Sequence, residues 1–506
     1  MPCHSNTGYF NTPLTYYDFG VRYTIDQIVD EDTFNKSFSD YVFFYKNISS
    51  HPLSTSKNGE YFTPLERIMS ILNRLETVYP QIFKNKSNTF LDPCCGIGQF
   101  QIILYFRLLK NLVAEFDGDY QKCSDHILEN MLYVIDINEG NINFITQKVF
   151  PKLKHAISAD ALDQNKSFFN KTIFTCVLFN PPFSVYHSNS STMLYPNFCT
   201  TYIPQGKISC CIIPNIWRCS SRLKEFIQWM KTKHIYSITE YINPSKYFKI
   251  NIQLHGYIEE IIIVNNNDII DIDTVNKIKN GYNYTLVDNN TNINNVLRQD
   301  YVTYNNEIDI YLHTNKFDGF LHKIFKYINK HGSILDIFYG TTYYDITTND
   351  KRLHKRKQKD NDIVCHIATR RGEISYINED ELFQKVYKRM FKHKMKATNT
   401  EDLFVITAYT TPHDKDAFVK LYICNKNEVY NASYIGFKVN SLDEANSLIS
   451  YLSTDVVKTL LLLRKQTISV SKFQLYWIPN VPLDRIWTNE SVLKLFGINK
   501  VPTEIL

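Results

Sequence analysis

The sequence predicts an α/β chain whose first half is a doubly wound domain built on a mainly parallel sheet. Short apolar runs alternate with helical patterns from residue 59 to 265. A glycine-rich turn joins one of those runs to a helix, at Asp92–Gln99. A polar, asparagine-rich tract at 264–295 then breaks the rhythm ahead of a second unit. A chain of 506 residues has room for two or three such domains.

Residues 1–58 are aromatic-rich without clear periodicity, and are expected to form an N-terminal helical cap. The expected strands are Thr89–Leu91, Leu132–Ile135, Phe174–Phe179, Lys207–Ile213, Ser237–Tyr241 and Glu260–Val264. Helical patterns run between them at Pro64–Val78, Gln99–Leu112, Ser124–Asn130 and Ser221–Lys231. Thr63 reads as an N-cap with Pro64 at the first helical position. The asparagine-rich tract makes 266–330 a connecting region and leaves 331–506 as a mixed α+β unit.

Composition narrows the function classes only modestly. Hydrophobic residues at 44% and charged residues at 21% are those of an ordinary globular protein. A net charge of +5 is a weak pointer to a polyanionic partner. The 35 Tyr and 33 Phe accompany many Asn, Ile and Lys, as an AT-rich genome would produce, so they do not by themselves define a stacking surface. The 11 cysteines form no C-x-x-C pair, which argues for no metal and for a reducing compartment. With no secretory signal and no apolar run of membrane-spanning length, the expectation is a soluble, intracellular protein that is not secreted.

Two motifs carry the chemistry. In Phe90-Leu91-Asp92-Pro93-Cys94-Cys95-Gly96-Ile97-Gly98-Gln99, a strand ends in a carboxylate and a glycine turn opens a helix. Such a turn lets a ligand approach the backbone closely while its amides point at the bound molecule. Asp92 would repel a phosphate and attract the ammonium of an amino acid, which favours S-adenosylmethionine over a dinucleotide. The second motif, Asn180-Pro181-Pro182-Phe183, follows an apolar strand, at the strand end where open α/β sheets bind ligands. The Asn180 side-chain carbonyl and the Pro181 backbone carbonyl can both accept from one NH₂ group, and Phe183 offers a flat apolar face to its ring.

In this order the two motifs resemble the N6-adenine DNA methyltransferases of the gamma arrangement, known from restriction-modification systems. The resemblance implies a Rossmann-like S-adenosylmethionine-dependent catalytic domain at 59–265 and a target-recognition, DNA-binding domain at 331–506. It implies catalytic roles for Asn180, Pro181, Pro182 and Phe183. Gly59 to Pro64 resembles the family's leading motif, in which Tyr61, Phe62, Thr63 and Pro64 line the methionine end of the cofactor. Asp92, Pro93, Cys94, Gly96 and Gly98 complete that end, Cys94 standing where the family usually has a small residue. Asp136 resembles the acidic residue on the ribose hydroxyls, with Ile137 against the adenine ring and Asp160–Ala161 at its amino group. Gly332 to Gly340 resembles the opening of the recognition domain. Asn431 to Tyr434, and Ser471 through Pro479, resemble its closing part.

Direct transfer needs an aligned nitrogen lone pair and no dedicated base, and a paired adenine must flip out of the duplex to be reached. Between 351 and 396 stand 14 Lys or Arg against 6 Asp or Glu, a local +8. Lys355, Arg356, Lys357, Arg370 and Arg371 from this cluster, with Lys472, are the expected contacts to double-stranded DNA. The whole reads as a stand-alone, monomeric modification enzyme, with room for a separately encoded restriction endonuclease. The rival readings are an RNA or protein amino-methyltransferase, a non-catalytic DNA-binding subunit that kept the fold, and a fused nuclease.

Overall fold

The computed structural model describes residues 21–49, 62–163, 167–187, 190–218, 221–241, 244–248, 257–265, 282–287, 292–297, 318–341, 343–347, 349–367, 374–383, 397–411, 417–464, 469–470 and 472–502. Tyr61, Arg370, Arg371 and Ser471 lie outside them. Two compact units divide the chain, one of residues 1–217 and 225–300, the other of 218–224 and 301–506.

The first unit is built on a mixed sheet with the order β11-β10-β8-β9-β7-β4-β1-β2-β3. Its strands are β1 (Phe90–Asp92), β2 (Leu132–Asp136), β3 (His155–Ser158), β4 (Phe174–Phe179), β7 (Gly206–Pro214), β8 (Ile235–Tyr241), β9 (Ile258–Val264), β10 (Tyr282–Val287) and β11 (Asn292–Leu297). A hairpin of β5 (Ser184–His187) and β6 (Ser190–Met193) stands apart from that sheet. From β3 to β7 neighbouring strands are parallel, while β9 runs antiparallel to both β7 and β8. All six expected strands are present. β4 is buried at every position, as a parallel strand covered on both faces should be.

Three elements differ from the sequence expectation. β3 is only part-buried and ends in an exposed residue, so its apolar signal is weak. β10 and β11 occupy part of the tract read as a connecting region. Their Tyr, Asn and Thr content looks like loop, yet β10 pairs in parallel with β8 and extends the first unit's sheet. The N-terminal cap contributes α1 (Glu31–Ser49), a helix packed on the elements that follow. Phe34, Phe38 and Tyr41 set their rings 5.4, 5.1 and 5.9 Å from Phe106 of α3 (Gln99–Leu112) and share its core. α2 (Leu65–Val78) buries Leu65, Ile68, Ile71, Leu72, Leu75 and Val78, one helical stripe. On its other side Arg74 reaches the fully buried Glu260 of β9, which also accepts from the Tyr241 hydroxyl at 2.9 Å.

The second unit has a sheet β12-β18-β15-β16 of Phe338–Tyr339, Tyr434–Val439, Leu403–Ala408 and Leu421–Cys424, and a sheet β14-β13-β17 of Ile374–Asn378, Asp362–His366 and Glu428–Tyr430. Aromatic packing joins them: Tyr343, Tyr344, Phe404 and Tyr430 form one buried cluster. Two of the three candidate recognition segments, Gly332 to Gly340 and the one that ends at Pro479, meet here. The Ile334 amide donates to the Ile478 carbonyl at 2.9 Å and the Asn480 amide to the Gly332 carbonyl at 3.1 Å.

Candidate cofactor and amino-group site

Four adjacent parallel strands, β4, β1, β2 and β3, end on one edge of the sheet, each with a predicted site residue at or just beyond its end. Along that edge stand Asn180, Asp92, Asp136 and Asp160. Registration places Asp92 opposite Val134 and Asp136 opposite Ser158, so each acid lies two residues beyond the partner of the one before it.

Asp92 is buried at 3% exposure and accepts from the Cys94 amide (3.0 Å) and from Gln101 Nε2 of α3 (2.9 Å). Burial pushes its pKa up to about 7, with the charge of Asp136 adding and those hydrogen bonds opposing. Asp136 accepts from the Gly96 amide (2.8 Å), the Asn138 amide (2.8 Å) and Asn141 Nδ2 (3.1 Å). Asp160 is exposed, its carboxylate accepting from the Leu162 amide at 2.9 Å, and the buried Ala161 takes the Tyr202 hydroxyl on its carbonyl at 2.6 Å. Ile137 stands 72% exposed just past β2, an apolar side chain open on the site's edge.

The glycine turn differs from the expectation in one respect. Four of its amides are engaged within the fold: Cys94 donates to Asp92, Cys95 to the Ile135 carbonyl (3.0 Å), Gly96 to Asp136 and Gly98 to the Cys95 carbonyl (3.0 Å). A phosphate would need such donors, so this turn offers close backbone approach instead. Gly96 and Gly98 hold φ of +54° and +86°, where a side chain is strained. A Cβ on Gly96 would sit 3.4 Å from the Phe62 ring, and one on Gly98 3.2 Å from Ile145. Tyr45 of α1 donates its hydroxyl to the Ile97 carbonyl at 2.7 Å and braces the same turn.

Asn180 lies across from this turn. Burial holds the Cys94 thiol well above its ordinary pKa, Asp92 and Asp136 add to that, and the Asn180 backbone amide opposes it, so the thiol sits between the two motifs. Asn180 Nδ2 donates to Thr63 Oγ1 at 3.0 Å. Thr63 is therefore not the N-cap the sequence suggested. α2 is capped at Pro64 with no side-chain bond, because the hydroxyl is turned to Asn180 instead. Pro181 is buried, Pro182 half-buried, and Phe183 only 7% exposed among core residues, so its ring is mostly covered. Phe62, Thr63, Cys94 and Asn180 thus bring the leading, glycine-turn and amino-group motifs together.

The stretch from α1 to the end of β7 matches a known family. The model of the N-6 DNA methylase family matches residues 38–214. The methylase stretch includes Tyr45, which sequence reasoning had left in the cap. A search of curated proteins finds no match. Among solved structures, the chain is similar to a modification subunit of a putative type I restriction enzyme from Vibrio vulnificus, at 11% identity over 57% of this chain and 66% of that one, with a TM-score of 0.38. It is also similar to the type IIL restriction-modification enzyme MmeI in complex with DNA, at 11% identity over 89% and 71% of the two chains, TM-score 0.44. A third is the DrdV–DNA complex, at 11% identity over 90% and 59%, TM-score 0.46.

Outside the methylase stretch, Lys355, Arg356 and Lys357 are exposed on a loop ahead of β13. Asp362 pins that loop by accepting from the Gln358 and Lys359 amides, at 2.7 and 2.9 Å. Lys472 is exposed as well. Arg352 departs from the cluster: it is 8% exposed, paired with Asp350 (2.7 Å) and bonded to the Leu382 carbonyl, a structural role. Also in this unit, His366, Cys424 and Glu428 converge within 4.8 Å. His366 and Glu428 already pair at 2.8 Å and Glu428 takes the Asn425 amide at 2.9 Å, so the group closes a turn between strands. No helix among the described residues is long and apolar enough to cross a membrane.

Proposed function

We propose that the chain is a DNA methyltransferase that modifies the N6 amino group of adenine in duplex DNA, using S-adenosylmethionine. The observation that carries the reading is the shared edge: Asp92, Asp136 and Asp160 in a row, with Asn180 at the end of the adjoining strand and its side chain bonded to Thr63 of the leading motif. A row of carboxylates beside a turn with four of its amides taken suits hydroxyls, amino groups and ammonium, and repels phosphate. The site therefore fits this cofactor. Phe62, Pro64 and Pro93 would line its methionine end, with Asp92 facing the ammonium. Asp136 would share its carboxylate between the ribose and its present donors. Ile137 would cover the adenine ring and Asp160 would accept from its amino group. Bound there, S-adenosylmethionine supplies an electrophilic methyl group.

The chain's own part is alignment. Asn180 and the Pro181 carbonyl accept the two protons of the target amino group, which leaves the nitrogen lone pair directed at the donor. One of those protons departs after transfer, so no side chain need act as a base beforehand. The target must leave the helix to enter, at a few kcal/mol, and stacking on an aromatic ring returns about 1–3 kcal/mol. Phe183 gives that stacking when its ring is uncovered by the arriving base. Lys355, Arg356, Lys357 and Lys472 contact phosphates, and the second unit reads the target. A role in restriction-modification accords with the neighbouring folds' names.

The test is incubation of the purified chain with labelled S-adenosylmethionine and, in parallel, duplex DNA from a methylation-free host, RNA and protein. Label in DNA, mapped to adenines in one sequence context, is expected. Label confined to RNA or protein overturns the proposal.

A further inference from the structure

We infer that Thr63 is a positioning residue, which fixes the end of the Asn180 carboxamide that meets the amino nitrogen to be methylated. The inference rests on the amino-group role proposed for Asn180. Thr63 and Asn180 are 117 residues apart in sequence, yet Asn180 Nδ2 donates to Thr63 Oγ1 at 3.0 Å. Thr63 is 3% exposed and its hydroxyl leaves the helix start uncapped in order to make this contact.

A carboxamide has two ends of opposite hydrogen-bonding character, and a half-turn of its terminal torsion exchanges them. The target amino group offers protons. Only the oxygen end of Asn180 can accept one, and the nitrogen end would set donor against donor. In the structure the nitrogen end donates to the Thr63 hydroxyl, which leaves the oxygen end for the target amino group. Both partners are held on their other side. Threonine has a stiff χ1 and is followed by Pro64, whose φ is −59°. Asn180 is followed by two prolines. Cofactor contact alone does not require this arrangement, since a threonine lining the methionine end could point its hydroxyl anywhere in that pocket.

The experiment compares the full-length wild type with Thr63→Val, which keeps the shape and loses the hydroxyl, and Thr63→Ser, which keeps the hydroxyl. Single-turnover methylation is measured at saturating cofactor and DNA, and S-adenosylhomocysteine affinity is measured beside it. Thr63→Val is expected to methylate about tenfold more slowly, equal to about 1.4 kcal/mol, with product affinity within about twofold of wild type. Thr63→Ser should recover most of the rate. A valine variant as fast as wild type, a serine variant as slow as valine, or a loss explained by weaker S-adenosylhomocysteine binding each overturns the inference. Thr63→Ala replaces valine if that variant fails to fold.

A second readout needs no activity. With asparagine-selective ¹⁵N labelling, the Asn180 side-chain amide, assigned by its disappearance in Asn180→Gln, should shift in Thr63→Val and return in Thr63→Ser. An unmoved amide overturns the pairing. A moved amide in a protein that methylates no DNA refutes the proposed function and leaves the pairing standing.

Discussion

Cofactor affinity should fall steeply in acid because of Asp92. Its carboxyl is buried, and burial lifts its pKa from an ordinary 3.8 to about 7 despite two hydrogen bonds that favour the charge. At about 1.36 kcal/mol for each pH unit, that difference is on the order of 4 kcal/mol of folding free energy. The sign follows from the direction of the shift. The unliganded fold binds this proton more tightly than the unfolded chain does, so the stabilisation is fully present below pH ~4 and is lost as pH rises through about 7. A cofactor whose ammonium faces Asp92 needs the ionised form. Its Kd should then rise about tenfold for each pH unit below 7, near tenfold at pH 6 and near a hundredfold at pH 5. Calorimetric titration of S-adenosylhomocysteine from pH 5.5 to 7.5, in the wild type and in Asp92→Asn, reads this directly. The asparagine variant should bind more weakly, show a nearly flat profile, and melt higher than the parent at pH 8, because it buries no charge. A wild-type Kd that stays constant across that range would refute the assignment of Asp92 to the ammonium.

Three further outcomes follow from the geometry. Asn180→Ala should lower the methylation rate by about 10²–10³, the usual cost of one aligned polar contact, while S-adenosylhomocysteine affinity stays unchanged; full activity in that variant sinks the mechanism. Replacing Lys355, Arg356 and Lys357 together by Ala should weaken binding to all duplexes alike and flatten the dependence of log K on log salt by about 2.7, if each meets one phosphate. An unaltered slope would place the DNA elsewhere. Arg74→Met should destabilise the first unit by about 3–5 kcal/mol in a denaturant melt, since it strands the buried carboxylate of Glu260. Adding Glu260→Gln should recover much of that loss, and a single variant as stable as wild type would mean that Glu260 is held neutral.

What could be read from sequence was local. The glycine turn, the Asn-Pro-Pro-Phe segment and the strand-end acids are each contiguous, and the strands before all of them but Asp160 are apolar enough to be placed within a residue or two. The supports around them carry no such signal. Gln101 reaches Asp92 from the next helix, Asn141 reaches Asp136, and Tyr45 braces Ile97 from more than 50 residues upstream. Nothing in spacing distinguishes these side chains from any other buried amide or phenol. β10 and β11 were hidden by their asparagines, which mark turns far more often than strands. Arg352 was counted with a solvent-facing cluster because charge runs do not reveal which member folds inward. The turn's engaged amides were also out of reach, since a glycine pattern fixes backbone freedom but not where the donors go.

Phe62 and Thr63 are adjacent in the chain, and one packs on Gly96 while the other holds Asn180. A single peptide unit thus touches both halves of the proposed two-substrate site. Whatever one ligand does to tighten that peptide it does on behalf of the other, and thermodynamic reciprocity requires the favour to be returned in equal measure. DNA carrying the target sequence should then raise affinity for the methyl donor by the same factor that the donor raises affinity for the DNA.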